Sequence, residues 1–110
     1  SKIKARLYLN TIPFLEGTID LAKQGFISGG TKQNLYSANR LVNWDNKINE
    51  TEKLALCDAQ TSGGLLISIP QDKINLLKHE LNIRGVETVA VIGDILTKDS
   101  KDDKLIDMKI

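Results

Sequence analysis

The densest run of hydrogen-bonding and small side chains in the chain is Asp58-Ala59-Gln60-Thr61-Ser62-Gly63-Gly64. Two adjacent glycines allow positive φ and let another backbone or an anion come close. A row of turn N–H groups can form an anion-binding nest. The chemistry would be recognition of phosphate or a similar anion. The surrounding order, however, is helix, glycines, strand. A P-loop runs strand, glycines, helix, and ends in Lys; here Leu65 follows Gly64. The structural alternative is a tight turn stitched to the sheet by Asp58, Gln60 and Thr61. A second run, Gly29-Gly30-Thr31 with Asn34, offers the same two readings on a smaller scale.

Other reactive side chains are isolated. Cys57 has no His near it in sequence, and the single His79 lies between Leu77 and Leu81 on the polar side of a helical stripe. A nucleophilic Cys needs a base and an orienting group, so a buried, inert thiol is the expectation for Cys57. Asn49-Glu50-Thr51 matches a glycosylation sequon by chance in a chain with no sign of secretion. Asp99, Asp102 and Asp103 are interleaved with Lys98, Lys101 and Lys104, which reads as a solvated turn rather than a cation site.

The elements that must position these residues follow from periodicity. Ile3, Ala5, Leu7 and Leu9 alternate with polar residues, a half-buried strand. Pro13 suits the first turn of a helix. Leu15, Ile19, Ala22 and Phe26 make a helical stripe that Gly25 ends. Gly29-Gly30-Thr31 reads as a turn, and residues 33–44 as irregular backbone with at most a helical turn. Asn49 and Glu52 match a capping box for a short helix over residues 50–56. Leu65, Leu66, Ile67, Ser68 and Ile69 form an apolar run, a strand covered on both faces. Pro70 opens a helix with Asp72 in its first turn, the buried stripe Ile74, Leu77, Leu81, and Gly85 as its end. Val89, Val91, Ile92 and Ile95 mark a buried strand, and Leu105, Ile106, Met108 and Ile110 a last one. The predicted fold class is α+β: one domain with a small mixed or antiparallel sheet covered by helices.

Composition bounds the function. The 110 residues fit one domain. The net charge of +1, from 15 basic and 14 acidic side chains, argues against a nucleic-acid binder, because the basic residues form no concentrated face. One cysteine permits no disulfide within the chain, and one Cys with one His does not found a zinc site. No apolar run is long enough to span a membrane, and the start Ser-Lys-Ile-Lys-Ala-Arg has no signal-peptide core. The chain starts without Met and enters a strand pattern at once, so it is expected to be part of something longer.

The residues themselves go further. Leu56-Cys57-Asp58-Ala59-Gln60-Thr61-Ser62-Gly63-Gly64-Leu65-Leu66 resembles the signature of the selenophosphate synthetases, or selenide, water dikinases, usually Asp-Pro-Gln-Thr-Ser-Gly-Gly-Leu-Leu; Ala59 stands where that pattern has Pro. Ile12-Pro13-Phe14-Leu15-Glu16-Gly17 resembles the family's Val-Pro-Leu-Leu-Pro-Gly. The stretch from Gly25 through Gly29-Gly30-Thr31 to Asn34 resembles its Gly-x-x-x-Gly-Gly-Thr-x-x-Asn, and Val91-Ile92-Gly93 its late Val-Ile-Gly strand. The family is similar to aminoimidazole ribonucleotide synthetase, a hydrogenase maturation factor and thiamin-phosphate kinase.

The resemblance implies a two-domain enzyme that converts ATP, selenide and water to selenophosphate, AMP and phosphate. It implies an N-terminal domain that dimerises and binds ATP with Mg²⁺, and identifies residues 1–110 with most of the C-terminal domain. The implied partners are the chain's own N-terminal domain and a second copy of the full enzyme, with no nucleic acid and no membrane, in the cytoplasm. The family's reactive Cys or selenocysteine, its Lys, its Asp metal ligands and its glycine-rich loop lie upstream. No catalytic or metal residue is therefore assigned here, no cofactor is expected to bind this part alone, and Cys57 is not the reactive Cys. Gly29, Gly30, Thr31, Asn34, Asp58, Gln60, Thr61, Ser62, Gly63 and Gly64 are the candidates for an interdomain, phosphate-proximal cleft, with bracing of the domain as the alternative. Two other readings stay open: the same domain of another ATP-dependent synthetase of that architecture, and a free-standing module for a small ligand or protein.

Overall fold

The structure, a computed structural model, describes residues 2–110. Four strands form one mixed sheet in the order β2-β4-β1-β3: β1 (Ile3–Tyr8), β2 (Val42–Trp44), β3 (Gly93–Thr97) and β4 (Ile106–Lys109). β3 runs antiparallel to β1, while β4 runs parallel to both β1 and β2. The helices are α1 (Thr18–Lys23), α2 (Gly29–Ala38), α3 (Glu50–Leu56) and α4 (Ile74–Ile83). This is the expected α+β class with a small mixed sheet. Among the described residues no helix is long and apolar enough to cross a membrane.

Alternation along the strands separates two faces. Ala5 pairs with Ile106 and Leu7 with Met108, while Val42 and Trp44 continue the same face onto β2. Leu9, Val42, Ile48 and Met108 are buried there, with Leu7, Ile12, Phe14, Ala38, Trp44, Leu56 and Ile106 packed around them. The core thus sits over the β2-β4-β1 part of the sheet. Toward β3 the cover thins: Ile3 and Ile95, both on the apolar face, are 53% and 52% exposed. α3 packs against α1 and α2. Its start is the capping box read from the sequence, with Asn49 Oδ1 accepting from Glu52 N and Glu52 Oε2 accepting from Asn49 N.

Several expectations change. Pro13 lies in a loop, because α1 starts only after Gly17, whose left-handed φ of +81° sets the entry. Of the stripe Leu15, Ile19, Ala22, Phe26, only Ala22 is buried; Leu15 and Phe26 are largely exposed. Gly25 and Gly85, at φ +90° and +80°, do end their helices as predicted. Gly29-Gly30-Thr31 is not a free turn but the opening of α2, capped by the Ser28 side chain. Residues 33–44 are the rest of α2 and then β2. The α2 stripe is Thr31 and Leu35. A polar residue at a core position hides the helical period.

The apolar run at residues 65–69 is not a strand. It takes no place in the sheet, and Leu65 is 92% exposed. A strand needs a partner ladder as well as β propensity, and none of the four strands offers one to it here. The buried strand expected over residues 86–96 shortens to β3 at 93–97, with Val91 exposed. The stripe Ile74, Leu77, Leu81 is only half-buried, because α4 touches chiefly the short 3-10 turn Gln71–Lys73 that leads into it.

Gly93 explains its own residue type. A Cβ there would stand 2.0 Å from the Arg6 carbonyl oxygen across the β1–β3 pair. Backbone cannot retreat as a flexible side chain can, so Gly93→Ala is expected to destabilise the domain by at least about 3 kcal/mol, the upper end of overpacking costs. A urea titration of the two proteins measures it.

Candidate functional site

The two glycine-bearing segments come together. α2 starts beside the loop that follows α3, and the joint is the Thr31 side chain, which is fully buried. Its hydroxyl donates to Asp58 Oδ1 at 3.0 Å and accepts from the Ala59 N–H at 3.0 Å. Ser28 Oγ lies 3.0 Å from the same oxygen and accepts from the Thr31 N–H at 3.2 Å; because the Thr31 proton goes to Asp58, the Ser28 hydroxyl is the donor of the pair. One donor and two acceptor sites are all that a Thr hydroxyl has, and all are used. Asn34 Nδ2 adds a bond to the Cys57 carbonyl at 3.0 Å, and Gln60 Nε2 reaches Asp58 Oδ2 at 3.3 Å.

The ten candidates therefore divide. Thr31, Asn34 and Asp58, with Gln60 on the outer oxygen of Asp58, form a tie between α2 and the loop. Gly30 serves close approach, since a Cβ there would lie 3.1 Å from the Ala59 Cβ. Gly29 meets nothing within 4 Å. Thr61, Ser62, Gly63 and Gly64 form an exposed loop. Positive φ is not the reason for any of these four glycines, because among the described residues only Gly17, Gly25 and Gly85 adopt it. Gly63 would meet only the Gln60 side chain, at 3.4 Å, and Gly64 faces open space. Ser28 was not among the candidates; a Ser just before a helix start is the cap signal that points to it.

Cys57 closes α3 beside an apolar cleft of about 280 Å³ between that helix and the sheet, lined among others by Leu7, Trp44, Leu56 and Met108. Burial pushes its thiol pKa up. Cys57 is half-buried rather than buried as expected, and less thiolate means a poorer nucleophile. His79 is exposed on α4.

A second polar cluster was not foreseen. On the face of the sheet opposite the core, Lys4 Nζ lies 2.6 Å from Asp102 Oδ2 and 2.8 Å from Asp107 Oδ1. Asn43 Nδ2 donates to Asp107 at 3.2 Å, and Arg6 stands 3.7 Å from it. Asp107 is buried. Asp102 is thus pinned by Lys4, and by Lys104 N at 2.9 Å, rather than simply solvated in its turn. The bond to Lys4 and the lesser one to Asn43 hold Asp107 below the usual carboxylate range; those to Lys4 and the Lys104 N–H do the same for Asp102. Bonds to Asp102 and then Asp107 raise Lys4. Among the described residues, no group of three His, Cys, Asp or Glu side chains is placed to hold a metal ion.

With this geometry in place, relatives give the context. A selenide, water dikinase of Photobacterium profundum is 40% identical over 104 residues, 87% of this chain and 29% of that protein. One from Carboxydothermus hydrogenoformans is 40% identical over 83% of this chain and 26% of its own length, and one from Aliarcobacter butzleri 32% identical over 84% and 27%. The chain is homologous to one segment of the selenide, water dikinases. It spans less than a third of the length of these relatives. No family model matches it.

Two measurements probe the site's construction. Thr31→Val keeps the shape but strands Asp58 and the Ala59 N–H, and is expected to cost about 1–3 kcal/mol in chemical denaturation; Thr61→Val, in the exposed loop, is expected to leave stability unchanged. The ion cluster sets a pH dependence. Its carboxylates have depressed folded pKa values, so their stabilisation is present above the ordinary 3.8 and fades as pH falls through the folded values. The raised Lys4 adds stabilisation present below its ordinary 10.5 and lost as pH rises through the folded value. The thermal midpoint of Lys4→Met is expected to lie furthest below wild type near neutral pH and to converge on it in acid. A gap independent of pH removes the cluster from the stability of the fold.

Proposed function

We propose that the chain is most of the C-terminal domain of a selenide, water dikinase, and that it packs against an N-terminal domain that binds ATP. The carrying observation is homology to these enzymes along more than four-fifths of the chain, running through the 58–66 signature. In this reading the whole enzyme makes selenophosphate from ATP, selenide and water, releasing AMP and phosphate. It works as a homodimer in the cytoplasm, a reducing setting that suits a chain with one free thiol.

The residues present do not fit a magnesium site. The one carboxylate in the signature, Asp58, has both oxygens engaged, by Thr31 and by Gln60. No metal step is assigned to this chain, and the cations and carboxylates that polyphosphate chemistry needs belong in this reading to the other domain. What this chain supplies is the 61–64 loop, positioned by the Thr31 tie. All four residues of the loop are exposed, and Gly64 has no neighbour within its own domain that would exclude a side chain. A glycine without an internal reason for its size fits a surface that another backbone or a phosphate approaches. The tie also sets Ala59 against the first turn of α2, whose N-terminal dipole favours negative charge. Closing this surface over the nucleotide would exclude water during transfer.

In the full-length enzyme, Thr61→Val is expected to lower turnover by about tenfold, equivalent to about 1.4 kcal/mol, with the thermal midpoint unchanged. Steady-state AMP release and a melting curve on the same preparation measure both. Unchanged turnover at unchanged stability would remove the loop from the reaction. The isolated 110-residue chain is expected to release no AMP from ATP and selenide.

A further inference from the structure

Between residues 59 and 92 no side chain is buried outright, and Leu65, Leu66, Leu76 and Ile83 are more than half exposed. The run at 65–69 has no ladder partner, and α4 touches chiefly the turn that precedes it. The radius of gyration, 15.3 Å, exceeds the roughly 13 Å of a compact domain of this length. Residues 65–92 are thus an arm held loosely to the rest of the fold. The sheet carries a matching vacancy. β3 is its edge, with one side unpaired, and such a side is a template for a further strand. Ile95 on β3 and Ile3 on β1 leave a half-exposed apolar strip beside it.

The order along the chain is apolar run, helix, edge strand. That is the order of a βαβ unit, in which a helix returns the chain so that the second strand lies parallel to the first. Parallel strands need a connection of about a dozen residues or more, and residues 70–92 supply it. The lengths agree as well. The run and β3 are five residues each, about 17 Å as strand, and the ten residues of α4 rise about 15 Å. Alternation puts Leu65, Ile67 and Ile69 on the face of Ile95, under α4, and leaves Leu66 and Ser68 on the other. The run has no charge to desolvate. Contact within one chain avoids the loss of translational and rotational freedom that association costs, so it needs less buried area than a partner from outside.

We propose that residues 65–69 close as a fifth strand, parallel to β3, on the sheet of their own chain, with α4 laid over Ile3 and Ile95. The arm is a strap with an open and a closed position, and it stands open in this structure. Its hinges are the exposed 61–64 loop, with Gly63 and Gly64, and Gly85 at the end of α4. Closure holds the 61–64 loop at both ends, by the Thr31 tie at Asp58 and Ala59 and by the new strand at Leu65. The strap does not rest on the functional reading above.

Amide hydrogen exchange of the 110-residue chain reads the closure. An edge strand bonds alternate N–H groups, so alternate amides of residues 65–69 are expected to exchange at least about tenfold more slowly than in an unfolded peptide of the same sequence. Ile67→Lys, at a position half exposed in the open arm, is expected to remove that protection and leave the amides of β1 protected. In a Cys57→Ser background, Ile67→Cys with Ile95→Cys joins the midpoints of the two strands. On a non-reducing gel this protein is expected to oxidise within one chain, at the 12.2 kDa chain mass. Exchange of residues 65–69 at the unfolded rate, protection that survives Ile67→Lys, thiols that stay free, or a disulfide that forms only between chains overturns the proposal.

Discussion

Thr31 carries one hydroxyl into the interior, and the local architecture is built on how that hydroxyl is used. A buried polar group without partners is costly, and this one is saturated by Ser28, Asp58 and the Ala59 N–H. Each partner belongs to a different local feature: the cap of α2, the exit from α3, and the start of the exposed loop. Because the bonds are directional, they set the position of the loop against α2 as hydrophobic contact alone would not. The signature is thus two things in one stretch. Its first part, through Asp58, is spent on internal bonding, and its second part, Thr61 to Gly64, is the surface the first part holds in place.

The sheet shows a second division of labour. Its apolar face packs over β2, β4 and β1, while its opposite face holds Lys4, Asp102, Asp107 and Asn43 in contact. A buried ion cluster is weak as a source of net stability, because desolvation offsets much of the Coulomb gain. It is strong as a discriminator of register: slipping β4 by one residue against β1 would put Asp107 into the core and Met108 on the polar side. Gly93 acts in the same sense on the other side of β1, where any side chain would meet the Arg6 carbonyl.

The chain is homologous to selenide, water dikinases along most of its length, and its signature ends in an exposed loop. The 61–64 loop and the 65–92 arm are neighbours in sequence but differ in chemistry. The loop is polar and small, Thr61, Ser62, Gly63 and Gly64. The arm is apolar and strand-like, suited to a sheet edge.

Short-range physics was legible in the residues. The β1 alternation, the Asn49–Glu52 capping box and the stops at Gly25 and Gly85 depend on near neighbours, and so were readable from spacing; so was the signature, whose residue types were distinctive enough to carry a family. What spacing could not show depended on partners far away in the chain. α2 was hidden because a buried Thr31 looks polar until Asp58 and Ala59, 27 and 28 residues on, are seen to satisfy it. The Lys4–Asp102 pair joins residues 98 apart. The run at 65–69 has every local mark of a strand and is not one, because a strand is a pairing between segments and none among the described residues forms a ladder with it. Tertiary structure alone decided which polar groups were internal and which apolar ones were left outside, since burial and hydrogen bonding are properties of two surfaces meeting.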